Sequence, residues 1–277
     1  MGTAGPRPLY HFAPARGWLN DPCGLVHHDG LWHLCFQHNP GESRWGDIHW
    51  GHAVSPDLVR WRELAPVLAP DPELGLAFTG SACQAPGRAG RDVVALLTHA
   101  GGRDGAQKQS LARSSDGYRT LRVAPESPVI PNPGLPDFRD PRLLWHADEG
   151  AWLAVVAAGD RALLYASTDL LRWERRGAIG PFDALPAGGV WECPELVQVP
   201  DERGGARWLL KVDANLGHHA RGVSRTWLGR LDPRAGFDPE GPARPLDLGP
   251  DFYAAQCFSD APDGTVVWIG WLDSWAY

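Results

Sequence analysis

Short apolar runs broken by turn residues recur along the whole chain, while the i, i+3, i+4 spacing of an amphipathic helix is hard to find anywhere. The pattern predicts an all-β chain. Five of the runs pair across a Gly- or Asp-containing turn: LVHHDGLWHLCF, ACQAPGRAGRDVVALLT, LLWHADEGAWLAVV, LVQVPDERGGARWLLKV and FSDAPDGTVVWIGW. Taking Trp32, Val94, Trp152, Trp208 and Trp268 as the first large residue after each turn, the separations are 62, 58, 56 and 60 positions. A second element recurs between the hairpins, AVSPDLVRW, LARSSDGYRTL and YASTDLLRW, each a strand, a Ser-x-Asp turn and another strand. Two hairpins per period make a four-stranded antiparallel unit, and a repeat of such units without helices is the signature of a β-propeller. The period is longer than the roughly 40 to 50 residues of WD40 or kelch blades. Five blades are expected, spanning residues 1–277 as one domain.

Composition narrows the class. A chain of 277 residues with 43% hydrophobic residues can bury a sizeable core. The net charge of -7, with Lys and Arg scattered, offers no basic stripe to nucleic acid. The start MGTAGPRPLYHFAP reads as no signal peptide, and no run approaches membrane-spanning length, so a soluble cytoplasmic protein with no membrane partner is expected. Cys23, Cys35, Cys83, Cys193 and Cys257 are odd in number and lack CxxC spacing, which predicts reduced, buried thiols and neither a disulfide framework nor a zinc site. Most of the 14 Trp are expected in the core, although indole faces also suit sugar rings.

The first strand of each propeller blade lines the central channel, so residues at equivalent strand starts converge at one end of the axis. Those residues are Asp21 in NDPCG, Ser81 in FTGSAC, Asp140 in FRDPRL, Glu192 in WECPEL and Tyr253 in DFYAAQ. Each acid alone has a bland explanation as a turn cap or a solvated surface charge. Three in register on separate blades do not, because clustered carboxylates repel and need a compensating reason.

The motifs WLNDPCG, FQHNP with WGDIHWGHA, FTGSA, DFRDP, WECPEL, DFYAAQ and GWLDSWAY, in this order, resemble the β-fructofuranosidases of glycoside hydrolase family 32: invertases, levanases and exo-inulinases. The resemblance runs from about Tyr10 to the last residue. It implies a five-bladed propeller followed by a β-sandwich, and a retaining hydrolase that releases terminal β-D-fructosyl units from sucrose, inulin or levan. Asp21 matches the family's nucleophile, Glu192 its general acid/base and Asp140 its transition-state stabiliser. Asn20, Gln37, Trp45, Ser81 and Arg139 carry over as fructose contacts, with Trp18, Phe78, Asp251 and Tyr253 beside them. His38, His49 and His52 are read as hydrogen-bonding strand residues. No cofactor and no metal are implied.

Two substitutions depart from the family pattern: Cys23 stands where many relatives have a second Asn, and Leu19 where many have Met. The strands that finish the fifth blade and the β-sandwich fall outside the 277 residues, so the fifth blade is expected to be incomplete. The stretches GGVWECPEL, WLLKVDAN and DLGPDFYAAQCFSD look more like inulinase- and levanase-type members than sucrose-6-phosphate hydrolases. The alternatives are a fructosyltransferase, a catalytically silent fructan-binding propeller, and an inverting arabinanase-like enzyme with carboxylates about 6.5 to 9.5 Å apart.

Overall fold

The computed structural model describes residues 8–86, 92–202, 204–217, 220–273 and 275. The turn of the second predicted hairpin, 87–91, and Ser274, Ala276 and Tyr277 of the last motif lie outside them. Each predicted hairpin is the inner pair of an antiparallel sheet. The first blade is β1 (Trp18–His28), β2 (Leu31–Asn39), β3 (His49–Ser55) and β4 (Arg62–Leu68). The second is β5 (Leu76–Gln84), β6 (Val93–Ala100), β7 (Lys108–Ser114) and β8 (Arg122–Val123). The third is β9 (Arg139–His146), β10 (Ala151–Ala158), β11 (Arg161–Ser167) and β12 (Glu174–Ile179). The fourth is β13 (Val190–Pro200), β14 (Ala206–Asn215), β15 (Val223–Asp232) and β16 (Gly236–Pro239). Among the described residues, four four-stranded blades are therefore present rather than five. The last position holds a two-stranded sheet, β17 (Tyr253–Cys257) with β18 (Trp268–Trp271), because five hairpins recur in the sequence but only four are followed by an outer pair of strands. The single helical element among the described residues is a 3-10 turn at Pro262–Gly264.

The innermost strands pack in the order β1, β5, β9, β13, β17, and β17 returns to β1. Closure is by backbone: the His27 N–H donates to the Ser259 carbonyl (2.9 Å) and the Ser259 N–H to the Leu25 carbonyl (3.0 Å), a parallel bridge between the first sheet and the last. Asp260 extends the clasp to the second blade by accepting the Gln84 N–H at 2.7 Å.

Apolar layers between adjacent sheets form the core. On β6, Val93, Ala95 and Leu97 join the layer toward the first blade, while Val94 and Leu96 join the layer toward the third. On β10, Trp152, Ala154 and Val156 face one neighbour and Leu153, Val155 and Ala157 the other. A strand covered on both faces reads as a continuous apolar run, which is why VVALL and WLAVVAA do not alternate. Each fully buried Leu or Val contributes about 1.5–3 kcal/mol.

The Ser-x-Asp element joins the third and fourth strands of the first three blades. The Oδ1 atoms of Asp57, Asp116 and Asp169 each accept two backbone N–H groups of their own turn, and each Asp is followed by a left-handed residue, Leu58 (φ +64°), Gly117 (φ +77°) or Leu170 (φ +66°). Trp61 and Trp173 donate Nε1–H to the carbonyls of Leu58 and Leu170, so these tryptophans lock turns and not a ligand.

Candidate active site

All five innermost strands break register at the same end. The pairing shifts between Leu19 and Pro22 on β1, Ala77 and Gly80 on β5, Glu192 and Glu195 on β13, and Tyr253 and Gln256 on β17; opposite β9 it shifts between Val155 and Ala157. Asp140 (φ +61°), Cys193 (φ +45°) and Ala254 (φ +52°) are left-handed there. Three of the breaks carry a proline, Pro22, Pro141 and Pro194, which has no N–H to lose from the ladder. An extra residue in a strand turns its side chain away from the regular alternation. Here it turns Asp21, Asp140 and Glu192 into a single cavity of about 420 Å³ on the axis.

Cys193 sits between two of the acids. Its backbone N–H donates to Asp140 Oδ2 at 3.0 Å, and its Sγ lies 3.5 Å from Asp21 Oδ2 and 3.6 Å from Asp140 Oδ2. Asp21 also accepts from Asn20 Nδ2 (3.0 Å) and Thr79 Oγ1 (3.1 Å). The third acid, Glu192, accepts from Arg139 Nη2 (2.9 Å) and Asn215 Nδ2 (3.1 Å) on Oε1, and from the Tyr253 hydroxyl (2.5 Å) on Oε2. Arg139 is further held by Asp137 and by Gln107 Oε1.

Burial and the neighbouring Glu192 charge push the Asp21 carboxyl up to about 6. Burial pushes Asp140 up to about 7; the Arg139 guanidinium opposes this, and the charges of Glu192 and Asp21 reinforce it. Burial, then the charges of Asp140 and Asp21, hold the Cys193 thiol far above its ordinary range, so it faces both carboxylates as S–H. Tyr253 is likewise kept protonated by burial and by Glu192, and stays a donor. Such a set can offer a carboxylate to an electrophilic carbon, move a proton on a second carboxyl, and bind hydroxyls with a third.

Asn20, Asp21, Gln37, Trp45, Phe78, Arg139, Asp140 and Glu192 line the cavity. Trp45 is 46% exposed and edge-on to Phe78, forming an aromatic wall. Ser81 does not line it. Its hydroxyl is buried between blades, donating to the Pro141 carbonyl (2.8 Å) and accepting the Leu143 N–H (2.7 Å). Thr79, the fourth residue of β5 as Asp21 is of β1, occupies the place expected of Ser81. Trp18 stands behind the wall, donating Nε1–H to Asn20 Oδ1 (2.7 Å) and stacking on Trp275, and it is Trp275 that faces the cavity. Tyr253 is 4% exposed and off the cavity wall, packing in one buried cluster with Cys193 and donating its hydroxyl to Glu192; Asp251 is not on the cavity wall either. Thr79, Gln107, Asp137, Asn215, Gly217 and Trp275 complete the wall without having been singled out. Asp137 and Trp275 lie inside the motifs DFRDP and GWLDSWAY, and Asn215 ends the stretch WLLKVDAN and strand β14; Gly217 carries no signal beyond following that strand. Among the described residues, no group of three or more His, Cys, Asp or Glu is placed to hold a metal ion.

Fold and site together define a β-propeller of the glycoside hydrolase type. The model of the "Glycosyl hydrolases family 32 N-terminal domain" matches residues 11–277. A levanase of Bacillus subtilis is 40% identical over 98% of this chain and 42% of its own length. The crystal structure of exo-inulinase from Aspergillus awamori superposes with a TM-score of 0.86 at 33% identity, covering 97% of this chain and 60% of that one. The β-fructofuranosidase from Schwanniomyces occidentalis, complexed with fructosyl-erythritol, gives 0.88 at 32% identity, over 97% and 55%. The chain belongs to glycoside hydrolase family 32. It spans about half the length of these relatives.

Proposed function

We propose that the chain carries the catalytic propeller of an exo-acting β-fructofuranosidase, which removes terminal β-D-fructosyl units from unphosphorylated sucrose or fructan with retention of configuration. The observation that carries this reading is the meeting of Asp21, Asp140 and Glu192, from three separate blades, in one cavity walled by Trp45, Phe78 and Trp275. Asp21 is the nucleophile: its carboxylate attacks the anomeric carbon, the bond to the leaving oxygen breaks, and a fructosyl ester forms. Glu192 gives its proton to the leaving oxygen and then takes one from the water that opens the ester. Asp140, oriented by the Cys193 N–H, binds fructose hydroxyls as oxocarbenium charge develops. The sheet β17–β18 is the inner half of a fifth blade. A levanase, an exo-inulinase and a β-fructofuranosidase among the relatives support the substrate class.

Incubation of the purified protein with levan, inulin and sucrose, followed by sugar analysis, tests the reading. Fructose released one unit at a time from a chain end is expected, and Asp21→Ala, Asp140→Ala and Glu192→Ala should each lower kcat by several orders of magnitude with the fold intact. Near-wild-type turnover in any of the three, or fructan that is bound but never cut, would overturn it.

A further inference from the structure

Beneath the three acids lies a buried cation that the reaction as described does not use. Lys211, on β14, is fully buried. Its Nζ donates to the Cys193 carbonyl at 2.9 Å and to Asp213 Oδ2 at 2.5 Å. Asp213 is held in turn by the Ser224 hydroxyl and is the cross-strand partner of Glu192. Cys193 is thus gripped at every polar atom: carbonyl by Lys211, N–H by Asp140, thiol by Asp21 and Asp140. Cys193 is left-handed (φ +45°), and a non-glycine residue there persists only where its surroundings over-determine it.

We propose that Lys211, together with Asp213, is a positioning pair for the catalytic carboxylates: it fixes the left-handed Cys193 peptide that aims one N–H at Asp140 and one thiol at Asp21. The inference rests on the roles proposed above for the three acids. Lys211 faces Glu195 across the β13–β14 ladder, and Arg142 is Glu195's ion-pair partner from β9. The Cys257 N–H of β17 donates to the same carboxylate, so the charges of Arg142 and Glu195 offset one another and leave Lys211 with Asp213 as the pair coupled to the site. Burial pulls the Lys211 ammonium down and is outweighed by Asp213, so the side chain stays charged.

A purely structural ion pair would affect melting and leave kcat of the folded enzyme where it is. The test is therefore the double variant Lys211→Met/Asp213→Asn, which removes both charges without stranding either in the interior. It is compared with wild type, Lys211→Arg and Asp21→Ala, by thermal unfolding and by the kinetics of sucrose hydrolysis. The double variant should melt close to wild type and lose about 10- to 100-fold in kcat with KM changed less than about threefold. Lys211→Arg, which keeps a charged donor for the Cys193 carbonyl, should recover part of that kcat. A double variant that folds with wild-type kcat would overturn the proposal. If the double variant fails to fold, Asp213→Asn, which loosens the hold on Lys211, takes its place, and wild-type kcat in it would overturn the proposal equally. Activity retained in Asp21→Ala would instead sink the assignment of the acids.

Discussion

Replacing Glu195 by Ala should loosen the propeller axis more than any surface change. Glu195 is fully buried and Arg142 is 7% exposed; their charged groups approach to 2.6 Å, an ion pair whose N–H is not aimed along the contact. Glu195 Oε2 also accepts the Cys257 N–H at 3.0 Å, and Arg142 Nη1 reaches the Cys257 carbonyl at 3.4 Å. Two side chains thereby tie β9, β13 and β17, three of the five innermost strands. Removing one partner of a buried pair costs about 3–5 kcal/mol, since the surviving charge is left in the interior. The stranded Cys257 N–H falls within that figure rather than beside it, because the two losses share one carboxylate. At roughly 2–4 °C per kcal/mol for a chain of this size, melting should drop by about 6–20 °C. The pair's net worth is a separate quantity. Arg142→Met with Glu195→Leu should recover most of the loss, with a coupling energy of at least about 2 kcal/mol in a double-mutant cycle read from urea unfolding. A Glu195→Ala cost under about 1 kcal/mol, or a double variant equal to the sum of the singles, would refute the claim that this pair clamps the axis.

Asp21→Asn should change the pH dependence of stability in a set direction. The folded Asp21 carboxyl is raised from 3.8 to about 6, so its contribution is fully present below about pH 4 and is lost as pH rises through about 6. The loss amounts to about 3 kcal/mol at 1.36 kcal/mol per unit. The Asn variant mimics the protonated form and should gain that much on wild type between pH 4 and pH 8 in urea unfolding; parallel curves would contradict the burial argument. Tyr253→Phe should leave melting within about 2 °C and lower kcat on sucrose by about 10- to 100-fold, the worth of a hydrogen bond of about 1.5–3 kcal/mol to a charged group. Unchanged kcat would show that Glu192 is positioned by Arg139 and Asn215 alone.

The acids were legible because each sits at the start of an innermost strand beside a proline or a cysteine-proline, so that a repeat in the hairpins predicted their meeting. Thr79 was missed for Ser81 because the bulge between Ala77 and Gly80 decides which residue of FTGSA faces the axis, and a bulge leaves no mark in the hydrophobic pattern. The charges on the axis were not legible either. Lys211 and Asp213 in LLKVDAN, and Glu195 in WECPEL, read as ordinary strand polar residues until β9, β13 and β17 are brought together in space. Trp275, and not Trp18, faces the cavity for a similar reason: stacking order is set by the packing of β1 against the last sheet, not by either motif. Blade number was read from the count of hairpins, although the Ser-x-Asp element that marks an outer pair recurs at only three of them; the fourth outer pair, β15 with β16, turns without it, and β17–β18 has no such partner among the described residues.

Methanolysis tests the central claim most directly. If Asp21 forms a fructosyl ester, methanol can replace water in opening it, and sucrose turned over in a methanol–water mixture should yield methyl β-D-fructofuranoside beside free fructose. Both products should vanish together in Asp21→Ala. Hydrolysis that proceeds without any methyl β-fructofuranoside, or that gives the α-anomer, would contradict a covalent intermediate on Asp21 and the retaining mechanism built on it.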